Sequence, residues 1–144
     1  MYYFGDLDVG MARQCGQISV SEEEIIEFAT KWDPQPFHVD REAAAETIFE
    51  GVIASGLHTL CFCNRLTYDG LLGNVAIVAG KGLEDLRFPH PVYPDDTISV
   101  QIEVVEKKPT DEWADRGIVH FHVEGINQWD KTVISFVSLP LVKR

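Results

Sequence analysis

Apolar positions recur at helical spacing in the first half of the chain and at strand spacing in the second. Over 22–31, Ile25, Ile26, Phe28 and Ala29 supply one apolar face. Ser21 precedes this segment and Glu24 stands three residues on, the spacing of a capping box. Asp40 can cap a second helix over 41–46. A third is expected to begin near Ser55-Gly56 and carries Leu57, Leu60, Cys61, Asn64 and Leu66. The i, i+3, i+4 recurrence at 57, 60, 61 and 64 marks one side of it. The other side, with His58, Phe62 and Cys63, is scarcely more polar, so this helix is expected to be enclosed.

From residue 75 the period shortens. A short apolar run covers 75–79, 81–89 is extended in character, and the prolines and acids of 91–96 form a turn. Over 97–108, Ile98, Val100, Ile102 and Val104 face one way and Ser99, Gln101 and Glu103 the other, a strand with one buried face. Pro109-Thr110-Asp111 breaks it. Over 117–127, Val119, Phe121 and Val123 alternate with His120, His122 and Glu124, which the outward face of a sheet explains. Asp130-Lys131 reads as a turn and 132–142 as a third long strand. A helix-rich third followed by an antiparallel meander predicts an α+β domain. At 144 residues there is room for one substantial core, so 1–144 is expected to be a single domain.

Between the first two helices lies Asp33-Pro34-Gln35-Pro36-Phe37-His38. Two prolines fix φ and remove backbone donors, so this stretch cannot be a helix interior. It is expected to be a stiff, extended or turning loop that holds a carboxylate and an imidazole at a set separation, the pairing proton-transfer chemistry needs. The plain alternative is a rigid surface loop with a capping Asp and an incidental His. Gly56, if it opens the third helix, presents an N–H that the helix itself leaves unpaired, in the positive field of the dipole. Such a donor can stabilise a developing oxyanion. Alternatively Gly51 and Gly56 only permit a tight turn.

These residues carry a resemblance. The run from Phe28 to His38, with Ala44 six residues on, looks like the hydratase-2 motif of the MaoC-like acyl dehydratases, and so does Gly51-Val52-Ile53-Ala54-Ser55-Gly56-Leu57. That family is built on the hot-dog fold, an antiparallel sheet wrapped round a central helix, and includes the (R)-specific enoyl-CoA hydratases. The chain departs from the pattern at Trp32, where a small residue is usual, and at Gln35, where Asn is usual. The resemblance implies reversible addition of water to a trans-2-enoyl thioester, giving an (R)-3-hydroxyacyl thioester. Asp33 would accept a proton from the attacking water, and His38 would orient that water and help deliver a proton to C2. The Gly56 N–H would polarise the thioester carbonyl, and Gln35 would brace the loop. With Gly56, Ser55 and Asn64 are the expected oxyanion and substrate-binding residues: Asn64 aligns with a small polar site residue, and Ser55 replaces a residue that is often His, which leaves its own role open. No metal or redox cofactor is implied, coenzyme A entering only as part of the substrate. Two copies would pair edge to edge as a homodimer or within a larger homo-oligomer. Two other readings stay open: a hot-dog acyl-CoA thioesterase and a non-catalytic acyl-CoA-binding subunit.

Composition narrows the partners. A net charge of −11 with no basic stripe argues against nucleic acid. Anionic coenzyme A, or an acyl carrier, needs only a few local cations, for which Lys81, Arg87, Lys107 and Lys108 are candidates by position. His58, Cys61 and Cys63 lack a second ligand pair at zinc-like spacing, so no metal site is expected. No apolar run approaches the roughly 20 residues of a membrane helix. The first residues lack a signal-peptide pattern, and three cysteines form no disulfide framework, which points to the cytoplasm.

Overall fold

The alternating segments build the middle of the sheet. In the computed structural model, which describes residues 1–144, β3 (Thr97–Pro109), β4 (Arg116–Ile126) and β5 (Thr132–Lys143) are consecutive antiparallel strands. Ile102 pairs with Val123, and Val104 with Phe121. All four side chains are buried, so the register joins the inward faces that the period-two pattern defines. β1 (Ala12–Ser19) adds to the free edge of β3 and β2 (Ile77–Arg87) to the free edge of β5, giving the order β1-β3-β4-β5-β2.

Four helices lie in the connection between β1 and β2: α1 (Glu22–Trp32), α2 (Pro36–Val39), α3 (Arg41–Ala45) and α4 (Gly56–Gly70). The capping box at the start of α1 forms as its spacing requires, with Glu24 N–H donating to Ser21 Oγ at 3.1 Å. Asp40 caps α3 through Glu42 N–H and Ala43 N–H. α4 is the central helix and packs on β1, β3 and β5. Its buried residues are Thr59, Phe62, Cys63 and Thr67. Gly125 lets it approach closely. A Cβ there would stand 2.8 Å from Ile134 and 3.3 Å from Cys63 Sγ. The chain is therefore a single α+β domain in which an antiparallel sheet surrounds one helix, the hot-dog arrangement.

Five details differ from the sequence reading. β1 went unread because only Cys15 along it is buried and its pairing slips between Gln14 and Gln17. The segments 75–79 and 81–89 are mostly one strand. β2 is exposed at every position but Leu86, so burial imposed no alternation, and its register shifts along β5. The Pro-rich block is not wholly extended: Pro36 opens a single helical turn, where a missing N–H costs nothing. Of the side of α4 marked by 57, 60, 61 and 64, Leu60 packs against the core and the other three face outward. Leu57, Cys61, Asn64 and Tyr68 form an exposed stripe, so α4 is not enclosed in the single chain. Among the outward histidines of β4, His120 is nonetheless buried, with Nδ1 3.4 Å from Glu106.

Candidate active site

Asp33 ends α1. Its N–H still donates to Ala29 O at 2.8 Å, and Pro34 then prevents the helix from continuing. Backbone bonds shape the next residues: Gln35 N–H donates to Asp33 O (2.8 Å) and His38 N–H to Gln35 O (2.9 Å). The turn of α2 carries His38 back toward Asp33. Two further bonds dock that turn onto the segment before α4. Ile53 N–H donates to Phe37 O at 3.1 Å, and His38 Nδ1 lies 2.7 Å from Ile53 O. A carbonyl oxygen only accepts, so Nδ1 carries the proton, and Nε2 of the neutral ring is a lone-pair acceptor. Nε2 faces Asp33 Oδ2 at 3.5 Å, longer than a good direct hydrogen bond. Phe37 meets the imidazole edge-on, with centroids 4.5 Å apart.

Ser55 completes the pair. Its hydroxyl donates to Asp33 Oδ2 at 2.6 Å and accepts from Leu57 N–H at 3.2 Å. One fully buried oxygen thus caps α4 and holds the carboxylate. The sequence marked Ser55 as the start of a helix and as a candidate substrate-binding residue, not as a partner of Asp33. The link to Asp33 spans 22 positions and has no local signature.

Asp33, His38 and Gly56 line one cavity of about 440 Å³. The Gly56 N–H has no hydrogen-bond partner in the protein, the free donor expected at a helix start. A strap formed by residues 88–92 closes the opposite wall. Its deep end is tied by Ala54 N–H donating to Val92 O at 2.8 Å. Its outer end lays the Phe88 ring over Gly56, where a Cβ would stand 2.8 Å from the ring. Phe88, His90 and Val92 all line the cavity and were not assigned to it from sequence. Pro89 had marked only the end of an extended segment, and Pro91 and Pro94 only a turn.

α1 and α4 are held together beside the site. The His58 ring of α4 stacks on Phe28 of α1, with centroids 4.4 Å apart and planes at 7°. Burial lowers the His58 pKa from its ordinary value, and the charge of Glu24 opposes that shift.

Other expected site residues lie elsewhere. Gln35 is exposed and its amide makes no hydrogen bond. Backbone bonds brace the loop instead, so bracing by the Gln35 side chain is corrected. Asn64 is exposed two turns along α4 and does not line the cavity. Lys81 lies over Trp113, Lys107 over Phe4, and Lys108 is 3.6 Å from Glu106. Arg87 adjoins the strap in sequence, yet none of the four cations lines the cavity.

The fold and this geometry define a hot-dog protein with an Asp/His pair facing a free helix-terminal N–H. Residues 8–124 match the model of the MaoC like domain family, and the chain belongs to that family. It is 34% identical over 140 residues to the uncharacterized protein YdeM of Bacillus subtilis, covering 96% of this chain and 97% of that one. It is 29% identical over 110 residues to an (R)-specific enoyl-CoA hydratase of Rhodospirillum rubrum, covering 76% and 74% of the two chains. The crystal structure of a MaoC-like dehydratase from Rhodospirillum rubrum superposes with a TM-score of 0.91 at 35% identity, covering 100% of this chain and 98% of that one. No helix is long and apolar enough to cross a membrane.

Proposed function

We propose that the protein is a hydro-lyase that adds water reversibly to a trans-2-enoyl thioester, an enoyl-CoA, giving the (R)-3-hydroxyacyl thioester. The observation that carries this is the Asp33 Oδ2 to His38 Nε2 separation of 3.5 Å beside the unpaired Gly56 N–H in one cavity. With Nδ1–H committed to Ile53 O, Nε2 and the Asp33 carboxylate are both acceptors. A water can satisfy both by donating one O–H to each. Its oxygen lone pairs then point away from the pair, toward C3 of a bound enoyl group.

Attack forms the C3–O bond and moves the π electrons toward C2 and the thioester carbonyl. The resulting enolate oxygen takes its stabilisation from Gly56 N–H and the α4 dipole. One water proton passes to the Asp33–His38 pair, which returns a proton to C2, so the sum is addition of one water. Ser55 holds the carboxylate in line, and Phe37 and Ile53 O fix the imidazole. The residues need no metal or redox cofactor for this sequence of steps. The relative named as an (R)-specific enoyl-CoA hydratase supports the stereochemical assignment.

The assembly we infer is a homodimer joined along β2. That strand is a long free edge with Ile77, Val78 and Leu83 exposed, and Leu57 and Tyr68 of α4 add apolar surface. Unpaired edges of this kind are otherwise an aggregation hazard.

Incubation with crotonyl-CoA tests the reaction. The enoyl absorbance should fall without release of free thiol. Thiol release would identify a thioesterase, and no change in either signal would leave a binding subunit.

A further inference from the structure

Four polar side chains line the cavity, and only one is uncommitted. Asp33 and His38 form the pair, and the Thr59 hydroxyl is aimed at Ser55 O, 3.4 Å away. His90 is the fourth. It is half-buried in the strap, and its imidazole makes no hydrogen bond or ion pair within the protein.

Its place along the strap says which part of a ligand it meets. Phe88, 46% exposed, lies over Gly56, and Val92, 3% exposed, is tied to Ala54. The strap thus descends from rim to floor, with His90 midway. In the hydratase reading a thioester oxygen at Gly56 N–H would sit at the rim end, with its sulfur toward solvent past exposed Leu57. The acyl carbons would then run inward along the strap, and His90 would flank them beyond the reacting double bond.

We propose that His90 is a specificity contact for an acyl group carrying a carboxylate next to the reacting carbons, so that short enoyl thioesters ending in a carboxylate are the preferred substrates. The proposal rests on the hydratase reading of the same cavity. A free donor favours it. The only acid lining the cavity is Asp33, already bonded to Ser55, and the His38 N–H is taken by Ile53 O, which leaves the His90 N–H as the one side-chain donor there without an acceptor. A second carboxylate therefore meets a donor at His90 although the whole chain carries −11. A purely alkyl group would cover the imidazole without pairing it, and a buried polar group left unpaired is disfavoured.

Equilibrium binding of two saturated thioesters tests this without requiring turnover. Butyryl-CoA and succinyl-CoA differ only by a terminal methyl replaced by carboxylate, and neither can be hydrated. By titration calorimetry the wild-type protein should bind succinyl-CoA roughly 10- to 100-fold more tightly, the scale of one hydrogen bond to a charged group. His90→Leu should abolish that preference. Should His90→Leu fail to fold, His90→Asn decides: a preference at least about threefold smaller supports the contact, and an unchanged one overturns it. A wild-type preference for butyryl-CoA, or equal binding of the two, also overturns it. Failure of the hydratase reading shows separately, as binding preference without consumption of any enoyl thioester.

Discussion

Removing the Ser55 hydroxyl has two separable effects, because one oxygen caps α4 and donates to Asp33. Ser55→Ala loses both. Loss of an N-cap costs about 1 kcal/mol. A hydrogen bond to a charged group contributes about 1.5–3 kcal/mol. The Asp33 side chain is 25% exposed, so water recovers part of that, and about 1 kcal/mol is a fair remainder. The sum of about 2 kcal/mol lowers Tm by about 6 °C in a chain of this size. Ser55→Gly loses the carboxylate contact but keeps a tolerated capping residue, so it should lose about half as much. The two variants should nevertheless share one kinetic defect, since Asp33 is equally unheld in both. A roughly 10- to 30-fold fall in kcat with little change in KM corresponds to about 1.4–2 kcal/mol of transition-state stabilisation. Thermal denaturation and steady-state hydration of crotonyl-CoA give the two readouts. Kinetic defects that track the stability losses would refute the reasoning, because Ser55 would then act only as a cap. So would wild-type kcat in Ser55→Ala.

Gly56→Ala places a methyl about 2.8 Å from the Phe88 ring, and kcat/KM should fall at least about tenfold as strap and helix are forced apart. Adding Phe88→Ala should restore kcat/KM to the level of Phe88→Ala alone; no rescue would mean that the methyl itself blocks the N–H. Gln35→Ala should leave kcat and KM unchanged, because the amide bonds to nothing, and a marked loss of kcat would reinstate a bracing role for it. His58 gives a pH dependence. Burial lowers its folded pKa, whereas unfolded His titrates near about 6.5. The unfolded state therefore takes up its proton first, and stability that is full above about 6.5 is lost as pH falls from there toward the folded value. His58→Phe should lose less Tm than wild type between about pH 7.5 and about pH 5.5, and equal losses would mean that His58 makes no contribution.

The middle of the sheet and the boundaries of α1 and α4 were legible because local rules govern them: two-residue alternation, a capping box, and a serine before a helix. The edges were not. β1 and β2 take their strand character from one neighbour each rather than from burial, so Gln14 and Lys81 carry no period to read. α4 misled in the opposite sense. Leu57 and Cys61 suggested a buried flank, yet the single chain leaves that flank exposed. Within the site, Asp33 and His38 were legible from spacing, since prolines 34 and 36 restrict the path between them. Gly56 followed from its place at a helix start. The bond of Ser55 to Asp33 and the strap with His90 were not legible, because they arise only through tertiary approach.

The central claim is that Asp33 and His38 act as one unit on a water. The most direct test is kcat on crotonyl-CoA for Asp33→Asn, His38→Gln and the double variant, each confirmed folded. Each single change should lower kcat at least about 10²-fold, the scale of a lost general acid or base. The double variant should be little worse than the worse single, as for groups that work together. Near-normal turnover in either single variant, or losses that multiply in the double, would contradict the account.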